Sequence, residues 1–561
     1  MPKALSMRSV LFLLAAVLAL AAVLRCVGLG AKSLWLDESL SWRMLEFPVG
    51  EVIERTGERA TANPPLYFLA LRGWAALFGE SEFALRSLPM FFGLATVAGV
   101  YALVRALCRL PSAGEEGPQV LHGRGAALLA AAAVAVSPFA VYVSQQARAY
   151  SMGTALFVWG SWSLIRALTA AGSGAGFWVL YGVLALASCY VHYLTLFLLA
   201  AQGAFVVIFL YVRWASTPGV SPAPGSDSPL APVPPPPDGT GEITTPPPAG
   251  TGRGPGFRRQ LLWAVGVFVA VGLGYLPWLS RLLEQSDRMA DYSWHPPFEL
   301  QQLADGTSTA LCATVAAREP LEPLAGWAVT LMLVGLVVHL ARRQGWSGRY
   351  LALLALVPVA LLLAYSLWSG RSLIHARYMA FVLPVWLAAL AVSCCLLPRP
   401  AALAAAVALL AWQSWACYAN WEVLGPSSSA GMRSCCARVV RQRDRAEPIA
   451  VESPFLLLPA LYYSRGEARP VVVTDRTSRK VQHQAAQLKR DDLVTPEEFL
   501  AQRPRGIWCI SSTSYGRQAG LWFALPAGWH LDKVEVFEQD NPWEEPLIVE
   551  HYVWGPESSS P

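Results

Sequence analysis

The chain alternates long apolar stretches with short polar turns. A bilayer-crossing helix needs roughly 18 to 25 apolar residues. Such runs recur near 7–29, 84–107, 126–144, 150–170, 177–191, 194–213, 260–282, 324–341, 350–368, 377–397 and 401–420. The pattern predicts a polytopic α-helical membrane domain with about eleven spans. The stretch 177–213 is either two short spans turning at His192-Tyr193 or one long span with a re-entrant piece. The first run lacks a small-x-small cleavage site and opens a multi-span protein, so it reads as an uncleaved first span.

Between the runs the polar segments differ in kind. The loop 30–83 passes from Ser33-Leu34-Trp35-Leu36-Asp37-Glu38-Ser39 to Asn63-Pro64-Pro65-Leu66-Tyr67. A helix at 66–78 there suits the membrane surface with Trp74 and Phe78. The stretch 216–256 is rich in Pro, Gly, Ser and Thr and cannot bury a core, which makes it a disordered linker. A docking segment for a proline-reading partner is its other reading. After Asn420 the composition becomes that of a soluble unit. Pro448–Val451, Pro470–Val473, Gly506–Ile510, Val534–Phe537 and Leu547–Val553 read as strands, and Phe455–Tyr463 as a short helix that Pro459 weakens. The expected organisation is a membrane domain over 1–420 and a small α/β domain over 421–561.

Charge placement orients the spans. Lys3, Arg8, Arg105, Arg109, Arg124, Arg213, Arg258, Arg259, Arg342, Arg343, Arg349 and Arg399 fall on one side. Asp37, Glu38, Glu46, Glu51, Glu54, Glu284 and Asp287 fall on the other. The positive-inside rule puts the N-terminus in the cytoplasm, with Asp37-Glu38 and the C-terminal domain outside, in a multi-pass inner-membrane protein. Only 14% of the residues are charged and 54% are hydrophobic, so the net charge of +5 says nothing of nucleic acid. The ten cysteines show no metal-ligand spacing. Two of Cys435, Cys436 and Cys509 are able to form a disulfide if their domain faces an oxidising compartment.

With this orientation the polar clusters gather on one face: Asp37-Glu38, Val143 to Tyr150 with Gln146 and Arg148, Tyr190-Val191-His192-Tyr193, Tyr275 to Trp278, and Arg371 to Tyr378 with His375. A transporter or flippase would scatter ionisable residues near the midplane, and the spans read as nearly uncharged. A non-catalytic scaffold for lipid-linked sugars is the remaining alternative. Trp35 and Trp278 read as interfacial anchors, and Arg86 as an anchor of the second span.

Trp35-Leu36-Asp37-Glu38, Asn63-Pro64-Pro65-Leu66-Tyr67, Gly79 to Pro89, Ser144 to Tyr150, and Arg377-Tyr378 ahead of Pro384 are similar, in order and spacing, to motifs of a known family. They resemble the integral-membrane C-type (GT-C) glycosyltransferases of family 39, which include protein mannosyltransferases and bacterial aminoarabinose transferases. The resemblance covers roughly residues 7–420. It implies inverting transfer of a sugar from a polyprenyl-phosphate donor to a lipid, glycan or protein acceptor at the outer face of the membrane. By the same resemblance Asp37 is the general base, with Glu38 beside it, and Arg148, Arg371 and Arg377 receive the donor phosphate. Tyr150, His192, His375 and Tyr378 contact substrate. No metal or other cofactor is required, and a divalent metal is compatible. Asn63 stands where relatives often carry Lys or His, and Gln146 where many carry Glu, which removes a charged contact at each place.

Overall fold

The computed structural model describes residues 6–57, 63–110, 123–170, 174–215, 255–292, 296–312, 322–425, 431–474, 487–512, 521–540 and 545–555. The Pro-rich stretch lies outside them as far as residue 254.

Each predicted apolar segment is helical, because in an apolar surround only a helix satisfies the backbone within one segment. Among the described residues seven helices are long and apolar enough to cross a membrane: Met7–Cys26, Glu82–Leu107, Thr195–Ala215, a span within Pro255–Tyr292, Pro323–Arg343, Gly345–Ser369 and Arg399–Ala419. Gly123–Ala135 and Pro138–Ser144 make an eighth if the pair, bent by 60° at Val136-Ser137, is one span. Ala175–Cys189 and Leu383–Leu396 are shorter, at 15 and 14 residues. Pro255–Tyr292 has 38 residues against the 23 expected from hydropathy. Its polar end continues because Gln285 is held there, donating to Thr56 O at 2.8 Å and accepting from the Tyr193 hydroxyl at 2.6 Å.

The bundle core lies where Glu82–Leu107, Gly123–Ala135, Tyr150–Leu168 and Leu383–Leu396 pack together around small and branched side chains such as Val97, Ala127, Ala131, Val158 and Leu387. A charged side chain, Arg25, packs against it. Arg25 is fully buried, and it donates to Ala135 O at 2.9 Å and Val134 O at 3.2 Å. Cys417 Sγ lies 3.0 Å from Val136 O. The carbonyls left open by the helix break are thus satisfied from two other helices. The expectation of nearly uncharged spans missed this arginine, whose role is to cap and not to carry an ion.

The C-terminal unit is a six-stranded mixed sheet of order β3-β2-β1-β4-β6-β5. The strands are β1 (Ile449–Val451), β2 (Val471–Val473), β3 (Leu493–Val494), β4 (Gly506–Ser512), β5 (Trp529–Phe537) and β6 (Leu547–Trp554). The first four are parallel neighbours, and β6 and β5 close the sheet as an antiparallel pair. Helix Pro454–Ser464 connects β1 to β2 with Pro459 inside it. Residues alternate across a strand. Trp508 and Ile510 of β4 therefore face helices Gly431–Gln442 and Pro454–Ser464, while Ile507 and Cys509 face the opposite side with Phe499. That alternation rules out a disulfide from Cys509 to either of the other two. Cys435 and Cys436 lie on the first face and Cys509 on the second, and all ten cysteines are free thiols.

The two parts share an apolar core. Leu34, Trp42, Phe47, Tyr67, Phe68 and Leu85 from the first loop and second span form one cluster with Cys435, Ile449, Leu458 and Trp508.

Candidate active site

Asp37 and Glu38 open a short helix, Leu36–Arg43, at the end of the bundle that carries the sheet. Carboxylates in a first turn face the unpaired N–H groups of the helix start, and Glu38 Oε2 accepts from Trp35 N at 3.4 Å. Neighbours on a helix point about 100° apart, so the two carboxylates meet different surroundings.

Asp37 is 17% exposed and faces two arginines from remote parts of the chain. Arg377 Nη1 lies 3.3 Å from its Oδ2, and Arg148 Nε lies 3.8 Å away. Arg148 also donates to the Asp37 carbonyl at 3.0 Å. Arg148 comes from the turn after the bent pair. Arg377 comes from the short helix Ala376–Met379, whose start is capped by His375 Nδ1 accepting from Arg377 N at 3.2 Å. That helix packs on Gln301–Cys312, and the strand-like pairing of Pro297 with Arg371 fixes the approach to it. The Arg377 guanidinium stands 5.9 Å from the Trp35 ring centroid, within cation–π range.

Glu38 is 1% exposed and committed elsewhere. Arg86 grips it through Nε at 2.8 Å and Nη2 at 2.6 Å, and Ala147 N donates to it at 2.8 Å. Arg86 donates as well to Leu29 O, Lys32 O and Ser33 O at 2.9–3.0 Å. A bidentate pair with this many added bonds is rigid. It ties the first loop to the second span and to the turn that carries Arg148. Arg86 is the residue the sequence reading set aside. Its signal was its place in the Gly79–Pro89 motif, but nothing in the sequence named its partner.

Tyr150, His192 and Tyr378 gather beside Asp37 and its two arginines. His192 is buried, with ring centroids 5.6 Å from Tyr150, 6.0 Å from Tyr378 and 4.9 Å from Phe381. Its Nδ1 accepts from Leu194 N at 3.2 Å. Burial, and then the nearby Arg148 charge, push the imidazole down to about 3 from an ordinary 6.5, so it is neutral at physiological pH. His375 is exposed at the helix start, 6.3 Å from the Tyr378 ring. Arg371 is exposed and bridges Pro297 by its backbone. Gln146 and Asn63 are buried. The Tyr67 hydroxyl and the Trp35 indole N–H are buried with no hydrogen-bond partner among the described residues. Among those residues no three His, Cys, Asp or Glu side chains converge on a point.

A largely buried carboxylate held against two guanidiniums, with a neutral histidine and tyrosines nearby, can take a proton from a hydroxyl, and the guanidiniums can balance the charge of an anionic leaving group.

No family model matches the chain, and no curated protein matches it by sequence. Solved structures do. ArnT from Cupriavidus metallidurans in the apo state aligns with a TM-score of 0.56 at 12% identity, covering 95% of this chain and 97% of that one. The same protein bound to undecaprenyl phosphate aligns with a TM-score of 0.54 at 11% identity, covering 97% and 98%. The likeness runs through both the helical part and the sheet part. The chain has the C-type (GT-C) fold, a bundle with membrane-length helices as the motifs implied, followed by the α/β domain that the strand pattern implied.

Proposed function

We propose that this chain is a glycosyltransferase. It moves one sugar from a polyprenyl-phosphate donor to an acceptor hydroxyl or amine at the outer face of the cytoplasmic membrane. The observation that carries this reading is the Asp37 carboxylate between Arg377 and Arg148, at 3.3 and 3.8 Å, at the sheet-bearing end of the bundle. The fold supports it, since one of its structural neighbours is solved with undecaprenyl phosphate bound.

In this mechanism Asp37 accepts the acceptor's proton as the new bond forms at the anomeric carbon. The bond from that carbon to the phosphate oxygen breaks, and the lipid phosphate leaves with the electron pair. Arg377 and Arg148 turn from the carboxylate toward the departing phosphate and stabilise its charge. A single displacement of this kind inverts the anomeric configuration. Neutral His192 and the hydroxyls of Tyr150 and Tyr378 orient the sugar, with the Tyr67 hydroxyl a further donor. Arg371 and His375, exposed beside Arg377, receive the outer part of the substrate. Glu38 acts through Arg86, holding the loop rather than moving a proton.

The experiment is mass spectrometry of envelope glycolipids and glycoproteins from a deletion strain, complemented with the wild-type chain or with Asp37→Asn. The expected result is one sugar missing in the deletion, restored by the wild type and not by an inserted, stable Asp37→Asn. Full restoration by Asp37→Asn would remove the base and favour a scaffold. A reporter fused after Pro561 that is active in the cytoplasm would overturn the orientation.

A further inference from the structure

The tether between the first span and Asp37 is held from two directions. From the membrane side Arg86 takes the carbonyls of Leu29, Lys32 and Ser33. From the C-terminal domain come three more side chains. Arg433 donates to Ala31 O and Gly30 O, each at 3.1 Å, and pairs with Glu82 at 2.7 Å. Asp540 Oδ2 accepts from Ser33 N at 2.8 Å. The Tyr463 hydroxyl accepts from Leu34 N at 2.7 Å and donates to Glu82 Oε1 at 3.1 Å.

The backbone itself is fitted to this contact. Gly431 has φ +42, and a Cβ there would lie 2.2 Å from Asp540 Oδ2 and 2.5 Å from Ser33 Oγ. Only glycine lets the domain approach so closely. A buried backbone N–H needs an acceptor, and for Ser33 and Leu34 that acceptor is supplied by the C-terminal domain. Two residues after Leu34 the helix bearing Asp37 begins.

We infer that Arg433, Tyr463 and Asp540 are positioning residues for sugar transfer: the C-terminal domain aims the Asp37 helix by hydrogen-bonding the tether that leads into it. This rests on the proposed role of Asp37. It gives the α/β domain a part in the reaction without any contact of its own with the reacting atoms. Displacing a catalytic group by about 1 Å costs about 10²-fold in rate, so the loss of these bonds is felt at Asp37 although they lie outside the site.

The test uses the full chain in two assays. In the first, hydrogen exchange is read by mass spectrometry on purified protein carrying Tyr463→Phe and Asp540→Ala together. Peptides covering 33–43 are expected to exchange faster, and those covering β4 at the wild-type rate. In the second, the missing envelope sugar is measured in the complemented deletion strain. The double variant is expected to fall by about 10²-fold. Asp540→Asn, which keeps an oxygen for Ser33 N, is expected to stay within a few-fold of wild type. Unchanged exchange at 33–43 with unchanged transfer overturns the inference. So does loss of protection in β4 along with the tether, which would mean the residues merely hold the domain together. The exchange assay does not depend on what Asp37 does. Wild-type transfer by Asp37→Asn therefore sinks the proposed chemistry while exchange still reports on the tether.

Discussion

The Glu38–Arg86 pair gives the sharpest stability prediction. Glu38→Ala leaves the Arg86 guanidinium buried with no carboxylate, and it leaves Ala147 N without its acceptor. Removing one partner of a buried ion pair costs about 3–5 kcal/mol, because the other charge remains desolvated. An orphaned buried N–H costs about 1–3 kcal/mol. These overlap, and a loss of about 4 kcal/mol follows. For mid-sized domains a kcal/mol moves the midpoint by about 2–4 °C. For this larger chain we expect the detergent-purified variant to melt roughly 5–10 °C below wild type. Glu38→Gln keeps an oxygen for Ala147 N and half the grip on Arg86, so it should fall in between. Adding Arg86→Met to Glu38→Leu removes both charges and should recover part of the loss. It should not recover transfer, because Leu29 O, Lys32 O and Ser33 O also lose their donor. A Glu38→Ala chain that melts within about a degree of wild type would refute the reasoning, since the pair would then not be desolvated.

Three further outcomes are expected. The pKa of His192 drops to about 3 when the chain folds, from an ordinary 6.5, so the unfolded chain binds the extra proton as the medium acidifies. Stability from this site is full above about pH 6.5 and declines toward pH 3 by up to about 1.4 kcal/mol per pH unit. His192→Phe should flatten that part of a melting-temperature profile between pH 6.5 and 4. Gly93 sits against Ser144 Oγ, which a Cβ would meet at 2.3 Å. Gly93→Ala should destabilise by about 1–3 kcal/mol through overpacking, read as reduced yield and a lower melting temperature, whereas Gly50→Ala, with open space around it, should not. Arg25→Leu strands the carbonyls of Val134 and Ala135 and should cost about 1–3 kcal/mol for each one left unsatisfied, checked by the same melt.

The fold was legible wherever hydrophobic period alone decides it. The apolar runs and the strands at Ile449, Val471, Gly506 and Leu547 fall where the pattern puts them, because burial in lipid or in a sheet leaves few other choices. Helices Val49–Gly57 and Gln301–Cys312 escaped because they are short amphipathic pieces between the long apolar runs, and β3 because two residues carry no period. The site was legible in its residue types and illegible in its pairings. Arg377 meets Asp37 across 340 positions, and nothing local announces that. Glu38 and Asp37 are neighbours in sequence, yet burial separates them in role. Arg86 looked like an interfacial anchor because its partner is visible only in three dimensions. Arg25 was hidden by the hydropathy of its own run, which tolerates one arginine without a dip.

The 60° break at Val136-Ser137 reaches further than its size suggests. Seven helical residues rise about 10 Å. Bent by that angle, the segment Pro138–Ser144 gains only about half of that height and travels about 9 Å sideways instead. At the end of that arm the turn holding Arg148 meets the first loop, where Arg148 donates to the Asp37 carbonyl. Arg25, in the last turn of the first span, and Cys417 close the elbow, so bonds made outside the site hold the arm at whose end Arg148 and Asp37 face each other.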